Sequence, residues 1–388
     1  GTGCDALTIP HNSNLSAGTF FQPFDKNGDP IDLAYAEERA FMEPVFEIYQ
    51  HKGDSECLPG ETISDELCGF EKLPYANFAA ITVDRFTDPD PRDFLRAALG
   101  EGMKLKETLG ANPFKHGFVA STDTHLAAPG HTPERVYAGH GNVGKGATAT
   151  EFETGLVDYP DNSGGGLAVV WAEENSREAI FNALRRKEAY GTSGPHIVVR
   201  FFGGWSLPSS MCNDPDFATV GYRRGVPMGG DLASPPASAA PTFFLSAIQD
   251  PGTEENPGTP LQRIQIVKGW LDEAGEQRTE VFELDGNPDN GAGVDPTTCE
   301  PQPGSGGFSD LCATWTDPTF DPGRPAFHYA RVIENPVCRW TTRQCMADGI
   351  DCERPETVTE GYEGCCEERV PKTIQERAWT SPIWYSPG

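Results

Sequence analysis

Phe118-Val119-Ala120-Ser121-Thr122-Asp123-Thr124-His125 runs an apolar strand straight into an Asp-x-His. A carboxylate and an imidazole two positions apart, just past a strand's carboxyl end, can converge on one divalent metal, which takes oxygen and nitrogen ligands at about 2.0–2.2 Å. Upstream, Val45-Phe46-Glu47-Ile48-Tyr49-Gln50-His51-Lys52-Gly53-Asp54-Ser55-Glu56 has a similar form. Strand alternation predicts Glu47, Tyr49 and His51 on one face and Phe46, Ile48 and Gln50 on the other. Lys52 would offer a charge to an anionic group of a substrate, and His51 an acid or base. Still earlier, a strand over residues 6–9 ends at Pro10 and delivers His11, a placement that aims the ring at the face where barrel enzymes build their sites. Singly, these patterns also describe a loop Asp beside a surface His, a solvated edge strand and a His capping a turn. Three strands that each deliver His, Asp or Glu at their carboxyl end are the joint signal.

Around these segments the first half alternates strands with helices. Strands are predicted over 6–9, 45–49, 118–121 and 167–171, and helices over 91–109 and 176–188, the second opened by Asn175-Ser176 with Glu178 and closed by Arg185-Arg186-Lys187. Alternation of this kind implies a parallel sheet or barrel. After Ser193-Gly194-Pro195 the pattern turns β-rich, with strands over 197–202, 242–248, 263–270, 279–284, 327–334 and 383–385. Segments 250–260 and 285–307, rich in Pro, Gly, Asp, Asn and Thr, read as loops. The division is an α/β unit over 1–195 and an antiparallel sandwich-like unit over 196–388.

The 388 residues carry 58 acidic and 30 basic side chains, a formal charge of −28. Such a surface repels phosphate backbones and anionic headgroups, so nucleic-acid and membrane-surface binding are disfavoured. No apolar run reaches the length of a membrane span. Eleven cysteines, with Cys338, Cys345, Cys352, Cys365 and Cys366 crowded near the end and no paired C-x2-C knuckles, favour a disulfide-stapled tail and a periplasmic or secreted location. Cys57 and Cys68 flank an acidic loop as a local disulfide pair. His116, His131 and His140, in polar, Gly-rich surroundings, read as surface histidines. Ser163-Gly164-Gly165-Gly166 precedes a strand, whereas a phosphate-binding glycine loop follows one, and neither a Gly-Lys-Ser/Thr nor a Gly-x-Ser-x-Gly occurs.

Five segments carry a family resemblance: residues 5–16 with Ile9-Pro10-His11-Asn12-Ser13-Asn14-Leu15-Ser16, Gln50 through Cys57, Gly117 through His125, Tyr190 through Pro195, and Gln375-Glu376-Arg377-Ala378-Trp379-Thr380-Ser381-Pro382-Ile383-Trp384-Tyr385. Together they resemble a bacterial domain-of-unknown-function family similar to the PHP (polymerase and histidinol phosphatase) superfamily of metal-dependent hydrolases. The resemblance implies an α/β fold: part of a distorted PHP-like β/α barrel over 1–195, followed by the β-rich, Cys-containing sandwich-like unit. It implies a divalent metal (Zn, Mn or Fe) held by His11, Asp123 and His125, with Glu47 beside them and a small-molecule ester or phosphoester as substrate. The family's amino-terminal His-x-His and Asp-His pair have no counterpart here, so this chain is expected to be the carboxyl-terminal part of a longer protein. His196 and His116 stand where that family has Arg and an aromatic residue, and inherit no role. A reading from another class is an exported, non-catalytic ligand-binding module whose β-rich half presents Trp205, Trp270, Trp315, Trp340, Trp379 and Trp384; the sandwich core is their plainer place.

Overall fold

A computed structural model describes residues 4–74, 89–141, 155–236 and 239–387. Beside the amino-terminal segment, Asp32 caps a helix, α1 (Leu33–Met42), by accepting from the Tyr35 backbone N–H. Three strands follow: β1 (Val45–Gln50), the short β2 (Gly53–Asp54), and β3 (Gly117–Ala120) after helix α2 (Leu95–Leu109). β1 pairs antiparallel with β2 and parallel with β3. Parallel pairing needs a crossover, and α2 lies within it. Leu95, Ala98, Leu99 and Met103 recur on its buried face, and Gly110 ends it in the left-handed conformation.

The remaining elements are β4 (Leu167–Val170), α3 (Arg177–Arg185), β5 (Ala189–Thr192), β6 (Val198–Gly204), α4 (Phe217–Arg224), β7 (Val226–Pro227), β8 (Asp231–Leu232), β9 (Thr242–Ile248), β10 (Leu261–Leu271), β11 (Gln277–Gly286), β12 (Asp310–Thr316), β13 (Ala326–Glu334), β14 (Val337–Cys338), α5 (Trp340–Ala347), β15 (Thr373–Ile374), β16 (Arg377–Thr380) and β17 (Ile383–Tyr385). One large sheet runs β11-β10-β13-β16-β5-β4, with β17 and β8 attached beside β13, and a second runs β12-β9-β6-β7. The large sheet takes strands from both sides of residue 195.

That sheet is a shared wall. Val267, Phe327, Tyr329, Trp379 and Trp384 point into one core with Phe46, Ile48, Tyr49, Leu99 and Phe118. Their neighbours Ile266, Ala330, Val332, Ala378 and Ile383 enter a second core with Val199, Phe201, Phe243 and Leu245 of the smaller sheet. Period-2 alternation thus serves two apolar layers at once, so every residue of β13 is buried.

Several expectations are corrected. Residues 6–9 form no strand; the segment is extended coil whose Thr8 N–H donates to the Met42 carbonyl at the end of α1, 2.7 Å away. Among the described residues no sheet closes into a barrel. β1 is not a half-exposed strand either. All six of its residues are buried because it lies between β2 and β3 with packed layers on both faces, and a register shift between Glu47 and Tyr49 breaks the simple alternation. Tyr49 consequently joins Phe46 and Ile48 in the first core and packs on Phe70 and Trp379.

Ten cysteines pair as Cys57–Cys68, Cys212–Cys312, Cys299–Cys338, Cys345–Cys365 and Cys352–Cys366, leaving Cys4 as an exposed free thiol. Among the described residues no helix is long and apolar enough to cross a membrane.

Candidate metal centre

The carboxyl ends of the parallel pair β1 and β3 meet at one edge, the usual position for a site in α/β sheets. Beyond β1 stand His51 and Lys52; beyond β3 stand Asp123 and His125. The Glu47 backbone N–H donates to the Pro10 carbonyl at 3.1 Å, which docks the amino-terminal segment on β1 and carries His11 toward the same edge. The charges of His11 and Asp123 both act on the Glu47 carboxyl. Asn14 fastens this segment to the strand end by donating its side-chain N–H to the Lys52 carbonyl, 2.8 Å away.

Two residues here hold left-handed backbones that non-glycine residues seldom adopt: Asn12, at φ 57°, and Asp123, at φ 50°. Asn and Asp tolerate that region best. Asn12 adjoins the candidate ligand His11 and Asp123 is itself a candidate, and outliers of this kind cluster at functional sites.

His51 is 1% exposed. Its Nδ1 lies 2.9 Å from the Thr122 carbonyl, which can only accept, so Nδ1 carries the proton and Nε2 carries the lone pair. That Nε2 is buried and, among the described residues, has no hydrogen-bond partner. Burial, with the charges of Lys52 and His140, lowers the ring's pKa to about 3, so the imidazole is neutral. Lys52 Nζ binds Asp123 Oδ2. Burial pushes the Asp123 carboxyl up, but the Lys52 ammonium more than offsets it and holds the group below its ordinary range. Glu47 goes the other way: burial raises it, against hydrogen bonds from Ser121 and from Gln50 Nε2 at 3.0 Å.

His140, expected at the surface, belongs to this cluster. Its ring stacks on His51 with centroids 4.1 Å apart and stands edge-on to His125 at 6.0 Å. The His125 N–H also donates to the His140 carbonyl at 2.6 Å. His116 is likewise not a surface residue. It is fully buried among Phe21, Phe46 and Phe114, with Nδ1 2.9 Å from the Glu43 carbonyl, because the parallel pairing of β1 and β3 places it beside the start of β1. His131 caps its own loop through the Val136 carbonyl.

Ser163 to Gly166 proves to be packing at the site rather than a phosphate loop. The Ser163 N–H donates to the His51 carbonyl at 2.9 Å and the Gly166 N–H to the Ser121 carbonyl at 2.7 Å, tying the stretch to both strand ends. Gly165 sits at φ +75°, and a Cβ there would lie 2.8 Å from Thr122 Cα. Only glycine allows that approach.

A divalent cation suits this donor set in one respect: His51 Nε2 is a buried lone pair without a partner among the described residues, on a ring whose other nitrogen is fixed. Among the described residues, the one group of three donor side chains whose atoms all lie within 4.8 Å of one another is Cys57, Asp65 and Cys68. That group does not suit a metal. Its sulfurs form a disulfide, and Asp65 is ion-paired with Arg96 and Arg331. His11 and His125 are exposed, and Lys52 covers one oxygen of Asp123.

The second half contributes a buried brace. Glu56 accepts from Arg96 Nη2 at 2.6 Å, Arg331 Nη1 at 3.2 Å, the Tyr329 hydroxyl at 2.5 Å and Trp379 Nε1 at 2.7 Å. The loop that follows His51 is thereby bolted to β13 and β16 of the large sheet.

No curated protein and no solved structure matches the chain. A family model described as a protein of unknown function, DUF3604, matches residues 1–387. The chain, with its His and Asp side chains just beyond the carboxyl ends of β1 and β3, therefore belongs to the DUF3604 family.

Proposed function

We propose that this chain carries part of the site of a divalent-metal-dependent hydrolase of the PHP type, acting outside the cytoplasm on a small phosphoester or carboxylic ester. The observation that carries the reading is His51: a neutral, buried imidazole whose Nδ1 is committed and whose Nε2 lone pair has no partner among the described residues. A nitrogen of that kind is a metal ligand rather than a proton donor at neutral pH. Asp123 and His125 stand beside it, and His11 reaches the same edge from the docked amino-terminal segment. A divalent metal bound there would supply a water of lowered pKa and positive charge for the oxyanion that develops on the ester.

The chain's own residues do the rest. Lys52, poised on Asp123, can release its ammonium to an anionic substrate group, as a point charge on a flexible stem. Glu47, desolvated and held by Ser121 and Gln50, supports the cluster from behind. The binding-module reading loses its main support, since none of the seven tryptophans is exposed: Trp340, Trp379 and Trp384 are buried and the others are half-buried. The five disulfides accord with an oxidising compartment.

Metal content measured by mass spectrometry after dialysis against metal-free buffer tests the proposal. Near-stoichiometric Zn, Mn or Fe that is lost in His51→Ala and Asp123→Ala but kept in His131→Ala is the expected result, followed by hydrolysis of aryl phosphates or aryl esters. A folded protein that binds none of these metals would overturn it.

A further inference from the structure

A cavity of about 230 Å³ opens at the carboxyl end of β10, where the loop over 317–325 turns back into β13. It runs from the buried Lys268 past the half-buried Trp270, Phe320 and Arg324 to the exposed Asp321. None of these residues belongs to the cluster at the ends of β1 and β3. The volume lies below the roughly 300–1,000 Å³ of cavities that take drug-sized ligands, so a single ring is the occupant that fits.

The charges around the cavity are already matched. Lys268 Nζ lies 2.8 Å from Asp317 Oδ2 and 2.9 Å from Thr319 Oγ1. Asp317 also accepts from His328 Nε2 at 2.9 Å; burial raises its carboxyl, but His328 and Lys268 outweigh burial and keep it ionised. Arg324 Nε lies 2.8 Å from Asp321 Oδ2 and its Nη2 2.8 Å from Glu273 Oε1. An anion would have to draw Lys268 away from a buried carboxylate, and a metal ion would have to displace the guanidinium from Asp321. Separating the buried pair is costly. A neutral ligand requires neither.

What remains free suits such a ligand. Among the described residues, Trp270 Nε1 and Arg324 Nη1 donate to no partner, and Asp321 keeps lone pairs beyond those taken by Arg324 and by the Gly323 backbone N–H at 2.8 Å. Phe320 is fixed edge-on against Trp205 and Tyr385, with centroids 5.5 and 4.9 Å away. Rigid aromatic walls beside an Arg–Asp pair with spare donors and acceptors match a sugar ring. Its C–H groups pack on aromatic faces, and its neighbouring hydroxyls, each both donor and acceptor, bridge guanidinium and carboxylate.

We propose that this cavity is a binding subsite for one neutral sugar ring, with Trp270 and Phe320 as its aromatic walls and Arg324 and Asp321 as the pair that holds its hydroxyls. The subsite is built from residues beyond 195 alone, so it stands or falls independently of the metal-dependent reading.

The test uses the whole chain without added metal. The probes are glucose, galactose, mannose, fucose and xylose, beside the charged sugars glucuronate and glucosamine, titrated by saturation-transfer NMR. At least one neutral sugar is expected to bind with a millimolar Kd, and Trp270→Leu and Asp321→Ala are each expected to weaken it at least about fivefold. Circular dichroism melts establish that each variant is folded. Should Trp270→Leu fail to fold, Asp321→Ala, at an exposed position, decides alone. The proposal is overturned if no neutral sugar binds, or if binding survives unchanged in either folded variant, which would put the sugar elsewhere. Glucuronate or glucosamine binding more tightly than every neutral sugar would also overturn it, by showing a net charge in the cavity.

Discussion

Glu56 and Arg331 meet in the fully buried seam between the α/β layer and the large sheet, Oε1 to Nη1 at 3.2 Å, although 275 positions separate them in sequence. Arg96, Tyr329 and Trp379 complete the shell around the carboxylate, so its charge is paired and its lone pairs are occupied. Removing one partner from such a pair costs far more than the pair contributes. Glu56→Gln should therefore lower unfolding stability by about 3–5 kcal/mol, measured by urea denaturation. A loss below 1 kcal/mol would show that Asp65, which also pairs with Arg96 and Arg331, is enough to hold both guanidinium groups in the seam.

The same carboxylate sets an acid limit. Burial alone would raise the Glu56 carboxyl, but Arg331 and Arg96 overcome it and hold the group well below its usual 4.5. A folded-state value depressed in this way contributes stability that is present above about pH 4.5 and is lost as pH falls further. Glu334 and Glu376, raised by burial, act in the opposite sense, so the clean observable is a difference. Wild type minus Glu56→Gln in unfolding free energy should shrink steadily below pH 4.5. A difference independent of pH would contradict the pairing.

Lys52 and a bound metal would compete for Asp123. An ammonium beside a divalent ion costs several kcal/mol even at an effective dielectric constant of about 20. Lys52→Met should accordingly tighten Zn2+ or Co2+ binding by at least about tenfold, read by chelator competition, while raising KM for an anionic ester. Tighter metal binding with no change in KM would leave Lys52 as a guard of Asp123 with no part in substrate binding.

Gly165→Ala is a local test of how the site edge is built. The positive φ and the 2.8 Å approach to Thr122 Cα leave no room for a methyl group. The substitution should destabilise the fold by about 1–3 kcal/mol and displace Thr122, whose carbonyl holds His51 Nδ1. Chemical denaturation combined with the His51 ring signal in NMR would register both, and an unshifted His51 signal would refute the coupling.

Among the disulfides, Cys212–Cys312 spans 100 residues and Cys352–Cys366 spans 14. On the chain-entropy account the longer loop is worth about 4.7 kcal/mol and the shorter about 3. Paired Cys→Ser variants compared in guanidinium should preserve that order. A reversed order would point to tertiary strain or residual structure outweighing chain entropy.

Local chemistry made much of this protein legible in one dimension. The strands at β1, β3, β4, β6, β9, β10, β11, β13 and β17, the helices α2 and α3 with Ser176 as the cap of α3, and the Cys57–Cys68 pair all follow from apolar spacing, turn residues and cysteine arithmetic, which act over a few positions. So does the nomination of Glu47, His51, Lys52, Asp123 and His125, since each stands in or just past a strand that reads as a strand. The start of α1 is written just as locally, in the Asp32 cap. The extended run at 6–9 has strand-like composition but no partner edge among the described residues, and pairing is a long-range property.

What only the tertiary structure decided is which residues meet. β1 and β13, in two different sheets, are each covered on both faces, so alternation along either says nothing about inside and outside. His140 and Asp158 lie in loops whose local sequence resembles any solvated Gly-rich stretch, and they become a dyad, Nδ1 to Oδ2 at 2.7 Å, against His51 only when the chain folds Asn162 and the glycines at 164–166 across the strand ends. Glu56, Arg96 and Arg331 are unremarkable charges in sequence and a buried brace in space. Spacing encodes the contacts a helix or strand makes with itself; packing between layers depends on distant segments arriving together, and here the arrangement of the site depends on that packing.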